Sequence, residues 1–231
     1  MAWWNWDSTH PIPSDVDTSP TPLYAPSGTT KIMPLGDSIT YGIGGESQGG
    51  YRNKLRTDLT ADGRTVEFVG GMSGVGQQRY QAVGGWRIED QEGSGRSNLV
   101  GFNATDAFRL YSPRIVLAHL GTNNVTQSMS SLADYILAYR RMLDSMFYYN
   151  PQAHIFIARC ILLENQWSGT TSWNNQVQSM VEAYAARGRP YYLVSGMEAM
   201  PAGSWVDGIH PNPTGYNYMS TQWKTALDAA A

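Results

Sequence analysis

Cysteine is almost missing from this chain: its 231 residues hold one, Cys160. A single thiol excludes an internal disulfide framework and any metal site built from several cysteines. The four histidines, His10, His119, His154 and His210, show no paired spacing suited to a metal, so a metal-dependent reaction has little support. Charge is also sparse. Charged residues make up 15% of the chain, lysine occurs only at Lys31, Lys54 and Lys224, and the net charge is −3. Nothing forms a basic footprint, which argues against a nucleic-acid partner. No apolar run approaches about 18 residues, so no segment is expected to span a membrane. The start lacks a basic stretch followed by an apolar one, and no signal peptide is read there. A Gly-x-Ser-x-Gly elbow is absent, which disfavours the α/β-hydrolase arrangement, and the Gly-rich stretches lack the Lys-Ser or Lys-Thr of a P-loop.

Glycine and aromatics are plentiful instead, with 24 Gly, 8 Trp and 14 Tyr, a composition that fits a loop-rich extracellular enzyme. The apolar share of 42% is enough for the core of one domain. Residues 1–29 stand apart. Trp3, Trp4 and Trp6 crowd the start, and Pro11, Pro13, Pro20, Pro22 and Pro26 follow among Ser and Thr. Such a stretch reads as an extended arm or linker, leaving residues 30–231 as the domain.

Within that domain apolar runs alternate with helical periodicity. Strands are expected at 31–35, 66–69, 114–120, 154–159 and 191–194. Residues 70–100, rich in Gly, Gln and Ser, read as a long loop with at most one helical turn. Helices are expected from Tyr51 to Leu59, along the stripe Leu132, Tyr135, Ile136, Tyr139, Met142 and Met146, around Val177 to Tyr184, and onward from Pro213. Strands separated by helices predict parallel pairing, and so a three-layer α/β/α sandwich around a parallel sheet of about five strands. Sites in such sheets form beyond the carboxyl ends of the strands.

Three chemically equipped segments stand at those ends: Gly36-Asp37-Ser38-Ile39-Thr40, Gly121-Thr122-Asn123-Asn124 and Asp207-Gly208-Ile209-His210-Pro211. Together they offer a nucleophile, a base and an orienting carboxylate. A serine hydroxyl is a poor nucleophile until a neighbouring base takes its proton. His210 suits that task, and Asp207, three residues earlier across a glycine turn, can reach back to its ring. The oxyanion formed on attack needs donors, for which the Ser38 N–H, the Asn123 amide and a glycine N–H from the loop after the second strand are candidates. His119 and His154 fall inside strands and read as packed or edge side chains, and Cys160 as a buried small hydrophobe.

These blocks, with Gly50-Tyr-Arg52, Phe68-Val-Gly70 and Gly85-Trp-Arg-Ile88, resemble the SGNH or GDSL-type hydrolases. The likeness runs from about residue 31 to the C-terminus and is strongest to the acetyl xylan esterases of carbohydrate esterase family three. The resemblance implies a flavodoxin-like sandwich and a cofactor-free serine esterase that removes acetyl groups from carbohydrate esters such as acetylated xylan. Matched to the family's blocks, Ser38, Asp207 and His210 are the catalytic residues, and Ser38, Gly85 and Asn123 form the oxyanion hole. Gly84 adjoins Gly85; Gly85 is chosen because Trp86 follows it, as an aromatic does in the family. Ile39 stands where the family name has Leu, and Asn124 where Asp is usual. Asp37, Trp86, Arg87 and Trp205 are candidate substrate contacts. The implied partner is an acetylated sugar or polysaccharide. The implied setting is a secreted monomer, with the N-terminal linker leading to a carbohydrate-binding module. Two other readings stay open: a general short-chain carboxylesterase or lysophospholipase of the same fold, and a non-catalytic carbohydrate-binding module.

Overall fold

The computed structural model describes residues 19, 21–74, 78–88, 100–127, 131–163 and 168–231. In chain order the strands are β1 (Thr30–Gly36), β2 (Val66–Phe68), β3 (Met72–Ser73), β4 (Arg79–Ala82), β5 (Ile115–His119), β6 (His154–Ala158) and β7 (Tyr191–Val194). The α-helices are α1 (Ser38–Tyr41), α2 (Tyr51–Ala61), α3 (Val100–Tyr111), α4 (Thr122–Gln127), α5 (Leu132–Tyr149), α6 (Ser168–Ala185) and α7 (Pro213–Ala229).

The sheet runs β3-β4-β1-β5-β6-β7, and β2 also pairs with β1. All five expected strands are present and mutually parallel. Two more join them. β4 lies parallel to β1 at Leu35 and Gly36, just beyond the stretch Thr30–Ile32 that pairs with β2, and β3 is antiparallel to β4. The expectation of one long loop over 70–100 is corrected to that extent; residues 89–99 lie outside the described ones. The four residues of β4, Arg-Tyr-Gln-Ala, carry no apolar run. Backbone pairing to the end of β1 makes them a strand, and pairing of that kind leaves no periodic trace in the sequence.

Alternation along the central strands divides two cores. In β5, Val116 and Ala118 face a core shared with α3, α5 and α6, while Ile115 and Leu117 face one shared with α2 and α7. β6 repeats the pattern, with Ile155 and Ile157 on one face and Phe156 and Ala158 on the other. Both strands are buried throughout, as strands covered on both faces must be. Each fully buried large apolar side chain adds about 1.5–3 kcal/mol.

The helix boundaries have local causes. Ser131 caps α5 by accepting the Asp134 N–H, and the Asp134 carboxylate accepts the Ser131 N–H in return. Asn212 caps α7 by accepting from Gly215 N–H at 3.1 Å, with Pro213 following at the first helical position. α2 buries Tyr51, Leu55 and Leu59, the expected stripe.

Part of the Pro-rich segment packs on the domain. Leu23 is buried in the α2/α7 core. Arg114 donates to the carbonyls of Pro22 and Leu23, and the Arg64 guanidinium lies 4.2 Å over the Tyr24 ring. His154 is tied to the Thr21 hydroxyl at 3.2 Å and to Tyr192 at 3.0 Å. Leu23→Ala should therefore destabilise the domain by about 2–4 kcal/mol, the cost of a large-to-small core change. Urea unfolding checks this, and a loss below about 0.5 kcal/mol would mean that the segment contributes no packing.

Candidate active site

β1 delivers Ser38 through a tight exit. A side chain at Gly36 would come within 2.1 Å of Thr40 Oγ1 and 2.6 Å of the His119 carbonyl, so glycine lets Thr40 of α1 and the end of β5 both close on the end of β1. Asp37 caps α1: its Oδ1 accepts the Ile39 N–H at 2.9 Å. Ser38 is then the first helical residue, 6% exposed.

The last site segment enters between β7 and α7. Residues 205–211 close into a narrow loop, with a Trp205–Pro211 bridge and the Val206 N–H donating to the His210 carbonyl at 2.9 Å. Asp207 works on both ends of this loop. Its Oδ1 accepts the N–H groups of Ile209 at 3.0 Å and His210 at 2.8 Å, while Oδ2 lies 2.7 Å from His210 Nδ1. A carboxylate only accepts, so Nδ1 carries the proton and Nε2 is free to accept. Nε2 lies 2.9 Å from Ser38 Oγ. Burial works against ionised Asp207, but the bonds from the His210 ring and from the His210 and Ile209 N–H groups outweigh it and hold the carboxyl below its ordinary range.

The donor side forms around a turn after β4. The Trp86 N–H closes it onto the Val83 carbonyl at 3.2 Å, and Gly85 occupies the positive-φ position at 80°. The Cα side of Gly84 faces Ser38: a Cβ there would lie 3.9 Å from the serine Cβ. The peptide joining Gly84 to Gly85, which carries the Gly85 N–H, thus belongs to a turn set against Ser38. Asn123, on α4, donates from Nδ2 to the Trp86 carbonyl at 3.0 Å, which leaves its second amide proton for another acceptor.

Asn124 is a residue whose importance the sequence reading overlooks. It is buried and pairs with both backbone groups of Ile88, accepting its N–H at 3.1 Å and donating to its carbonyl at 2.9 Å. A carboxylate at this position could not make the second bond. Asn123 and Asn124 together lash α4 to Trp86–Ile88.

Three of the expected substrate contacts are corrected. Asp37 is fully enclosed and serves as a helix cap. Trp86 packs in the core with Leu35, Val69 and Ile88. Arg87 is buried and donates to Gln127 Oε1 at 2.9 Å. Trp205 alone of the four stays partly exposed, in the loop that bears His210. His119 is buried, its Nε2 accepting from the Ile161 N–H at 3.4 Å, and desolvation pushes its pKa down to about 4. Burial raises the Cys160 thiol.

A serine, a histidine and an aspartate in one hydrogen-bonded relay, beside a glycine turn at the strand exits of an α/β sandwich, suit a serine hydrolase. Residues 35–218 match the GDSL-like lipase/acylhydrolase family; the chain belongs to it, and so to the carboxylic ester hydrolases. A multidomain esterase of Ruminococcus flavefaciens is 30% identical over 89% of this chain, which spans 29% of that protein's length. A family 3 carbohydrate esterase of Clostridium thermocellum superposes with a TM-score of 0.74 at 24% identity, over 88% of this chain and 100% of that one. A carbohydrate esterase family 3 protein of Talaromyces cellulolyticus gives 0.69 at 22% identity, over 87% and 100%. These neighbours share the fold, the α/β sandwich of the SGNH hydrolases.

Asp37 generates a prediction about pH. Burial pushes its carboxyl up from 3.8 to about 6, against the Ile39 N–H, His210 and the Thr122 hydroxyl, which favour the ionised form. A carboxyl raised on folding stabilises the fold fully below its unfolded pKa, and that stabilisation is lost as pH rises through the folded value. Asp37→Asn keeps an acceptor for the Ile39 N–H but abolishes the titration. Its stability relative to the wild type should improve by about 2–3 kcal/mol between pH ~4 and pH ~7. A difference from wild type that stays constant across that range in urea unfolding would contradict this account of the carboxyl.

Proposed function

We propose that this protein is a serine esterase that removes small acyl groups, chiefly acetyl, from sugar hydroxyls of carbohydrate esters such as acetylated xylan. The observation that carries the reading is the relay itself, Ser38 Oγ to His210 Nε2 at 2.9 Å and His210 Nδ1 to Asp207 Oδ2 at 2.7 Å. Ser38 attacks the ester carbon as His210 takes its proton, and Asp207 steadies the imidazolium. The Ser38 and Gly85 N–H groups and the Asn123 amide receive the oxyanion. Collapse expels the sugar alkoxide, protonated by His210, and leaves acyl-Ser38. Water, deprotonated by His210, then attacks the acyl carbon. Release of the acid restores the serine.

Preference for short acyl groups is supported by what surrounds the serine. On the proposed donor side, Gly84 lies against it, and Gly85 and Asn123 of the same wall are likewise small or polar. Among the described residues the exposed large apolar side chains on the His210 side are Ile43 and Val206, too few to line a trough for a fatty chain. An acetyl esterase among the solved neighbours, a mutant whose structure contains an acetate ion, supports the same choice, as do the carbohydrate esterases above. A polymeric substrate would set the enzyme outside the cell, with the chain ahead of the packed residues 21–24 as a tether to a further module. The multidomain build of the Ruminococcus relative supports that tether.

Rates on p-nitrophenyl esters should fall steeply beyond butyrate; a maximum at octanoate or longer would point to the lipase-like reading instead. On the acetyl ester, Ser38→Ala should abolish turnover with the fold intact. Asn123→Ala should lower kcat by about 10²–10³, the usual loss for one oxyanion donor. A loss below about threefold would remove Asn123 from that role.

A further inference from the structure

Arg52, in the first turn of α2, is fully buried, and its hydrogen bonds among the described residues go to backbone carbonyls rather than to a carboxylate. Nε donates to the Thr40 carbonyl at 3.1 Å, and Nη2 to those of Tyr41 at 3.1 Å and Gln48 at 3.0 Å. Nη1 donates to the Gln78 carbonyl at 3.2 Å. The guanidinium lies 4.0 Å from the centroid of the Tyr80 ring, which meets the Tyr41 ring edge-on at 5.8 Å. Burying a cation is costly, and the carbonyl dipoles and the ring face compensate it here.

Apart from Gln48, which precedes α2, the partners fall into two groups. Thr40 and Tyr41 end α1, the helix that starts with Ser38. At four residues α1 is too short to satisfy these carbonyls in its own ladder. Gln78 and Tyr80 belong to the start of β4, which runs into the Val83–Trp86 turn bearing Gly85. One planar fork thus holds the rear of the nucleophile helix and the root of the donor strand at a fixed separation. Lysine, with a single nitrogen, cannot span the same four acceptors.

We propose that Arg52 is a positioning residue that sets the distance between Ser38 and the Gly85 N–H, and so pre-forms the oxyanion hole without touching substrate. The proposal rests on the esterase reading above. An oxyanion hole is sensitive to such spacing, because a misplacement of about 1 Å can cost about 10²-fold in rate. The loss should appear in kcat, since the hole acts on the transition state more than on the bound ester.

The test is steady-state kinetics of Arg52→Lys on p-nitrophenyl acetate, well below its melting temperature, with rates expressed per active site titrated by a fluorophosphonate. We expect kcat to fall about 10–100-fold with KM within about twofold of wild type. A kcat loss below about tenfold, or a KM change as large as the kcat change, overturns the proposal. Should Arg52→Lys not fold, Tyr80→Leu, which removes the ring under the guanidinium, is judged by the same split. Ser38→Ala run in parallel separates the two claims. If it retains turnover, the esterase reading of this site fails. If it is silent while Arg52→Lys matches wild type, the positioning role alone fails.

Discussion

One hydrogen bond joins residues 172 positions apart in the chain: His210 Nε2 to Ser38 Oγ at 2.9 Å. The proposed mechanism depends on holding those two atoms together, and the fold does so from both ends. On the serine side, Gly36 removes the bulk that would hold Thr40 of α1 away from the end of β1, and Asp37 closes the first turn of that helix. On the histidine side, one carboxylate shapes the loop and orients the base. Asp207 accepts two backbone N–H groups of its own turn with one oxygen and meets the imidazole with the other. The bond that builds the loop cannot be separated from the bond that aims the ring.

The opposite wall of the site is built differently, by side chains that hold backbone. Asn123 and Asn124 bind Trp86 and Ile88. The donor turn therefore sits between α4 on one side and β4, anchored near Arg52, on the other. In the proposed mechanism, donors fixed before substrate arrives would need no reorganisation as charge develops, which is the physical basis of strong oxyanion stabilisation. Trp86 and Arg87, buried beside this turn, add packing and polar ties to it rather than a surface for sugar.

Much of this was legible in the sequence, for reasons that also explain what was not. β5 and β6 announce themselves as continuous apolar runs, and α5 as a long apolar stripe. β4, α1, α3 and α4 do not. α1 and α4 are very short, and β4 owes its state to pairing with Leu35 and Gly36. In α3 the described buried positions include small residues, Ala104 and Ala107, which weaken the apolar pattern. That Ser38, Asp207 and His210 could meet was legible because each stands in turn chemistry at a strand exit, and the structure joins them by hydrogen bonds. Asp37, Trp86 and Arg87 read as substrate contacts because closeness in sequence says nothing about which way a side chain points. Asn124 and Arg52 escape because bonding to backbone carbonyls and amides is a task for which many residue types qualify, so residue identity carries little signal.

The most direct test of the whole account is to trap the enzyme with a serine-directed phosphonate and locate the adduct by peptide mass spectrometry. A single label on Ser38, appearing in step with loss of esterase activity, is the predicted result. A label on another residue that tracks inactivation, or full inactivation with Ser38 unmodified, would contradict it.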